Sequence, residues 1–357
     1  MPSDPAAPIR VGVVGFGLAG AVFHAPLIAS TPGMELRSVV TSDPERQARA
    51  RQEYPDAAVI PSLDGLWSAA SDHDLVVIGT PNRFHVPIAL RAFDAGLHVV
   101  IDKPMAPTAA QGQKVAAEAE ARGLVLTVFQ NRRWDGDFLT LRRLLDEGAL
   151  GEVVRFESRF ERWRPAVTDG AWRERGEPEE AGGLLFDLGA HLIDQAVQLF
   201  ESPTRVYAEV DRRRAGAEVD DDAFVALEHP NGTRSHLWMN VLAAIGAPRM
   251  RVLGLKGTFE KYGLDVQEEA LADGMRPGDA DWGREPPDAW GRLATDDGER
   301  AVETEPGAYE AFYAGVVEAL RSSGPPSVDP LESVEVLRII EAAFDSARSG
   351  SVVPFEA

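Results

Sequence analysis

The sequence predicts two domains: a doubly wound, parallel α/β sheet over residues 1–129, then an α+β domain with a large, mainly antiparallel open sheet over residues 130–357. Three observations lead there. At 357 residues the chain exceeds what one core usually organises. Its first third alternates short β-branched runs with helical spacing, the order of a parallel sheet with right-handed crossovers. Beyond about residue 150 the runs alternate polar and apolar positions, as strands do when one sheet face is solvated or meets another subunit.

Taken in order, Val11–Val14, Leu36–Val40, Leu75–Ile78, His98–Ile101 and Leu124–Val128 read as buried parallel strands. Between them, Ala21–Ser30, Pro44–Glu53, Phe84–Ala95 and Ala109–Arg122 carry helical spacing. The later strands are Glu152–Phe160, Arg205–Arg213, Ala223–Glu228, Ser235–Val241 and Met250–Leu255. Helices are expected at Leu188–Phe200 and Leu331–Ala347, and the Gly-, Pro- and charge-rich Asp273–Arg300 reads as a long loop.

A net charge of −21 argues against nucleic acid and anionic membranes as partners, because both repel an acidic surface. No apolar run is long enough to span a bilayer. Without cysteine there are no disulfides and no thiolate metal sites. The opening MPSDPAAPIR lacks a basic segment followed by an apolar one, so the cytoplasm is the expected compartment.

The first strand runs into Gly15-Phe16-Gly17-Leu18-Ala19-Gly20 and then a helix. In a Rossmann-type unit Gly15 allows the tight turn, Gly17 lets backbone approach a pyrophosphate, and Gly20 lets helix and strand pack closely. Phe16 and Leu18 belong to the same cradle, and the helix N–H groups face the phosphates. Strand two ends in Thr41-Ser42-Asp43-Pro44-Glu45-Arg46. Thr41 and Ser42 occupy the positions where an NAD enzyme usually places an acid, and small hydroxyls suit a 2′-phosphate. The expected cofactor is therefore NADP, with Arg46 or Arg37 adding charge; NAD remains the alternative should Asp43 turn inward.

In such a sheet ligands gather at the C-terminal ends of the strands. Pro81, Asn82 and His85 follow the strand Leu75–Ile78 there, and Asp102-Lys103-Pro104 follows the strand His98–Ile101. Lysine is scarce: of 36 basic residues only Lys103, Lys114, Lys256 and Lys261 are lysine. Pro104 biases Lys103 towards an extended conformation, directing it at the place where a nicotinamide would lie. A second cluster is Gly182-Gly183-Leu184-Leu185-Phe186-Asp187-Leu188-Gly189-Ala190-His191, in which Asp187 and His191 share a helical face with Asp194.

These three motifs, in this order, resemble the Gfo/Idh/MocA oxidoreductases over nearly the whole chain. The match is closer still to their NADP-dependent scyllo-inositol dehydrogenase branch, through Gly20-Ala21-Val22-Phe23-His24-Ala25-Pro26, Asn131-Arg132-Arg133-Trp134-Asp135, Arg162-Trp163-Arg164-Pro165 and Lys261-Tyr262-Gly263-Leu264-Asp265. Two departures stand out: Asp102 replaces the usual Glu of Glu-Lys-Pro, and Gln130 stands where that branch commonly has His. The resemblance implies Lys103, Asp187 and His191 as the catalytic group, and a second-domain sheet used for assembly into a homodimer or homotetramer.

The expected reaction is reversible oxidation of a secondary alcohol on a cyclic polyol or sugar. His191 takes the hydroxyl proton, Asp187 orients the imidazole or binds a neighbouring hydroxyl, and Lys103 stabilises charge on the reacting oxygen. A Lys103-to-His191 proton relay is equally compatible with the sequence. Arg132, Trp163, Arg164, Trp172 and Asp194 are candidates to line the polyol pocket. Two alternatives are an NAD-dependent glycosidase of the same fold and a dinucleotide-sensing protein without catalysis.

Overall fold

The computed structural model describes residues 7–168, 172–322 and 324–356. The chain divides into two compact units that are not consecutive stretches. The first comprises the chain up to Asn131 together with Gln267–Trp282 and Ala308–Val334; the second comprises Arg132–Val266, Gly283–Gly307 and the chain from Glu335 onward. The expected single block over residues 130–357 is thus split, because two later segments return to the first unit.

The first unit is built on six parallel strands, β1 (Ile9–Val14), β2 (Met34–Val40), β3 (Ala58–Ile60), β4 (Leu75–Ile78), β5 (His98–Asp102) and β6 (Leu126–Phe129). Their order, β3-β2-β1-β4-β5-β6, reverses direction between β1 and β4, which opens a crevice at the C-terminal ends of those two strands. Strand β3 is an addition to the five expected; three residues with only partial burial give too short a pattern to read. The central strands β4 and β5 are apolar because helices cover both faces, and Leu75–Ile78 is buried at every position. The helix Pro44–Glu53 begins where expected: Asp43 accepts hydrogen bonds from the N–H groups of Glu45 and Arg46, and Pro44 occupies the first helical position. The returning helix Glu310–Ser322 brings Phe312 and Tyr313 against Phe129, with ring centroids 5.0 and 5.9 Å away.

The second unit holds a nine-stranded sheet of β7 (Val153–Glu161), β8 (Arg205–Asp211), β9 (Asp222–Glu228), β10 (Arg234–Asn240), β11 (Met250–Gly254), β12 (Gly257–Lys261), β13 (Gly291–Thr295), β14 (Gly298–Val302) and β15 (Val353–Pro354). The order is β14-β13-β12-β11-β7-β10-β9-β8-β15, antiparallel throughout except for the parallel pair β7–β10. Strands β13 and β14 correct the reading of Asp273–Arg300 as a loop: they form a hairpin turning at Asp296-Asp297-Gly298, with Thr295 opposite Gly298. The strict alternation of β9 and β10 puts Ala223, Val225, Leu227, Leu237 and Met239 into one core with Leu192, Ile193, Ala196 and Phe200 of the helix Ala190–Phe200. Their other face carries Phe224, His236 and Trp238, which touch one another, and Arg159 of β7 lies 4.0 Å over the Trp238 ring.

Candidate active site

In the first unit the glycine turn occupies the crevice between β1 and β4. Gly15 adopts φ +92°, and a Cβ there would lie 2.6 Å from the carbonyl oxygen of Gly79. A Cβ on Gly20 would come within 1.9 Å of Gly15 O, so the helix can approach the strand only through glycine. Gly17 differs: the nearest atoms to an added Cβ belong to the Arg46 guanidinium, at 3.6 Å. The turn is therefore closed against protein at Gly15 and Gly20 and open at Gly17, the arrangement a pyrophosphate requires. The residues present fit a dinucleotide. Phe16 is buried, edge-on to Tyr54, whereas Leu18 is 57 % exposed beside the opening.

At the end of β2, Thr41 is buried and held by its N–H on Ile60 O, and Ser42 is exposed. The Asp43 carboxylate caps the next helix and lies 3.7 Å from Arg46. Arg37 pairs instead with Glu35. At the end of β4, Pro81 leads into a tight turn over Asn82–Phe84, where Asn82 is buried. His85 is buried too, and its two ring nitrogens each lie 2.9 Å from a backbone carbonyl, those of Pro104 and Thr80. It ties the β4 turn to the turn after β5, so its ring works from within the scaffold. Burial is the largest influence on that ring and lowers its pKa.

Asp102 ends β5 and accepts a hydrogen bond from the Lys103 N–H at 2.9 Å; the Lys103–Pro104 peptide is cis. Beneath them His24 is fully buried, its Nδ1 2.7 Å from Tyr313 Oη, and burial lowers its pKa to about 4 against the opposing charge of Asp102. Neutral at physiological pH, His24 belongs to the core.

In the second unit the expected cluster begins with a turn clamped from several sides. Gly183, at φ +95°, sits so close to Asp220 that a Cβ would lie 2.0 Å from Oδ1, while Oδ2 of Asp220 accepts the Leu185 N–H at 2.7 Å. Burial raises the Asp220 carboxyl to about 6, with the Leu185 N–H pulling the other way. A wide π-helical turn, Leu185–Gly189, then feeds the α-helix Ala190–Phe200. In a regular α-helix residues four apart are offset by about 40°. A π turn advances less per residue, so Asp187 and His191 come closer to one line. His191 is buried, edge-on to Phe160 with centroids 6.3 Å apart, and Asp187 pairs with Arg173 at 3.3 Å.

The remaining candidates fall into two groups. Asp194, expected to touch substrate, is 2 % exposed and held by Arg133 in a two-pronged pair, Nε–Oδ2 2.8 Å and Nη2–Oδ1 2.6 Å. Arg132 is also buried, 3.6 Å from Asp135 and over the Phe160 ring at 5.5 Å. Burial keeps the Asp135 carboxyl well above the usual range despite Arg132. Arg249, unremarked in the sequence, continues this network through Ser158, Gln195 and Asp137. By contrast Trp163 is 58 % exposed and Arg164 is exposed, and Trp172 lies in a short turn with the Arg173 guanidinium 4.4 Å over its ring.

The fold and the family that its sequence matches together define a nicotinamide-dinucleotide oxidoreductase. The N-terminal sequence profile of an oxidoreductase family with an NAD-binding Rossmann fold matches residues 9–130, and the GFO/IDH/MocA C-terminal domain matches residues 138–260. The chain belongs to the GFO/IDH/MocA oxidoreductase family. It is 43 % identical to the Escherichia coli oxidoreductase YdgJ, across 95 % of this chain and 96 % of the relative. It is 35 % identical to scyllo-inositol 2-dehydrogenase (NADP(+)) IolW of Bacillus subtilis, across 98 % and 96 % of the two chains. The solved structure of yvaA from Bacillus subtilis superposes with a TM-score of 0.92 at 34 % identity, covering 98 % of this chain and 99 % of that one. Among the described residues no helix is long and apolar enough to cross a membrane.

Proposed function

We propose that this oxidoreductase interconverts a secondary alcohol and a ketone on a cyclic polyol of the inositol type, with NADP as its dinucleotide. The observation that carries the substrate class is the near full-length similarity to a relative named as an NADP-dependent scyllo-inositol dehydrogenase. Two features support NADP. The Asp43 carboxylate is taken up by its helix cap, and the Arg46 guanidinium stands beside Gly17, where a 2′-phosphate would meet a cation rather than an acid.

Gly15, Phe16, Gly17, Leu18, Gly20, Thr41, Ser42, Pro81, Asn82, Asp102 and Lys103 would hold the dinucleotide, with His85 bracing the turns beneath it. When bound, the nicotinamide accepts or returns the hydride. Lys103 donates a hydrogen bond to the reacting oxygen and stabilises its negative charge. His191 accepts the hydroxyl proton, and Asp187 orients what His191 serves. Trp163, Arg164 and Trp172 offer flat apolar faces and donors for a hydroxylated ring, while Arg132 and Asp194 are taken up in buried ion pairs of the same unit. The open face of the nine-stranded sheet, with Phe224, His236 and Trp238, serves self-association into a dimer or tetramer.

The test is reduction of NADP and NAD by scyllo- and myo-inositol, followed at the nicotinamide absorbance. Turnover with NADP is expected to exceed that with NAD, and Lys103→Met should lower kcat by about 100-fold or more while weakening NADPH binding far less. Equal rates in Lys103→Met and wild type would remove the lysine from the mechanism. Release of free sugar from an added glycoside, with no net absorbance change, would point to glycoside cleavage instead.

A further inference from the structure

The turn Trp172–Glu174 received one sequence assignment, for Trp172 alone, yet the second unit holds it with unusual care. The Gly183 N–H donates to Arg173 O at 3.0 Å. A Cβ on Gly182 would lie 2.8 Å from Arg173 O and 2.7 Å from Arg175 O, so only glycine lets the two segments close together. From the other side Arg214, whose side chain is 5 % exposed, reaches Glu174 through both Nη atoms at 3.4 and 3.2 Å. Its Nε donates to Asp221 at 2.9 Å, and Asp221 also accepts the N–H groups of Arg213 and Arg214. A buried cation fixed at this many points makes a rigid anchor.

That anchoring has one visible outcome at the surface. The Arg173 guanidinium lies over the Trp172 ring and places its Nε 3.3 Å from Asp187 Oδ1, with the two side chains 40 % and 30 % exposed. An exposed ion pair adds little stability, so stability does not account for a buried latch beneath it. A donor fork beside a carboxylate, separated by about one hydrogen-bond length, matches two adjacent hydroxyl groups of a ring.

We propose that Arg173 is a specificity-determining residue: with Asp187 it reads a vicinal diol, the guanidinium donating to one hydroxyl oxygen and the carboxylate accepting from its neighbour. Trp172 backs the guanidinium, and Arg214 positions the turn through Glu174 and Asp221. This inference rests on the polyol reading given above. It concerns which alcohols are accepted and involves no covalent step.

Wild type, Arg173→Met and Arg173→Lys are assayed with NADP on myo-inositol and on the set of monodeoxyinositols, with NADPH binding and Tm as controls for folding. For wild type, removing one particular hydroxyl should lower kcat/KM by about 30-fold, because a polar site left unpaired discriminates strongly. Arg173→Met should lose a similar factor on myo-inositol while losing less than about 3-fold on that deoxy compound, the signature of coupling between residue and hydroxyl. Arg173→Lys keeps the charge without the fork and should restore only part of the discrimination. Equal losses on the parent and every deoxy compound, or full rescue by lysine, would overturn the assignment of Arg173 alone. Absence of wild-type turnover on any inositol would overturn the polyol reading and this inference with it.

Discussion

Arg133 and Asp194 form a pair in which each side chain is almost wholly buried, 8 % and 3 % exposed. Removing one partner leaves the other as an unpaired charge out of water, which usually costs about 3–5 kcal/mol. Arg133→Met should therefore lower the urea midpoint markedly, and adding Asp194→Leu should recover much of the loss, measured by denaturant titration of wild type and both variants. No recovery in the double variant would mean that the rest of the network, including Arg249 and Gln195, carries the stability. The same pair shows what a sequence can and cannot tell at this scale. Gly15, Gly17 and Gly20 were legible because their roles are local to one turn. Asp194 was legible as a carboxylate on the His191 face, but its partner lies 61 positions away, and nothing in spacing reveals a pairing at that range. Arg173, Arg214 and Asp220 escaped for the same reason: each acts on a segment distant in the chain.

Elements were readable where the period was long and clean. The helix Pro44–Glu53 and the alternating strands β9 and β10 follow directly from capping chemistry and from period two. Strand β3 is too short for either signal, and the hairpin β13–β14 was hidden by charge, although Asp297-Gly298 is a turn signature that could have found it. The parallel pairing of β7 with β10 joins strands separated by other elements and has no local mark at all. The alternation of β9 and β10 also yields a prediction. Phe224, His236 and Trp238 are half-buried aromatic side chains on the face away from the core. Trp238→Glu, which puts a charge at the centre of that face, should shift the protein to a smaller species in light scattering with its Tm little changed. An unaltered mass would exclude this face from assembly.

Across the molecule, two buried groups respond to pH in opposite directions. His24 has a folded pKa of about 4, below the ordinary value of 6.5. Its stabilising contribution is complete above about pH 6.5 and is lost as the pH falls towards 4, on the order of 3 kcal/mol. Asp220 has a folded pKa of about 6, above the ordinary 3.8. Between those values only the folded form holds the proton, so stability rises as the pH falls from 6 towards 4, again by on the order of 3 kcal/mol. His24→Gln should accordingly flatten the loss of Tm on acidification, whereas Asp220→Asn should steepen it and raise Tm at pH 7 to 8. Identical pH slopes in both variants would refute the assignment. The two groups lie in different units, so the acid response of this protein is a balance between its halves.

The return of the chain to the first unit has a consequence for anyone who would recombine such enzymes. His24 leans on Tyr313, 289 positions further along, and Phe129 leans on Phe312 of the same returning helix. A fragment stopped after Asn131 would expose that aromatic surface and should be insoluble. A chimaera that borrows only the leading segment from another member would set foreign side chains against this wall, so a workable swap has to carry the helix Glu310–Ser322 along with it.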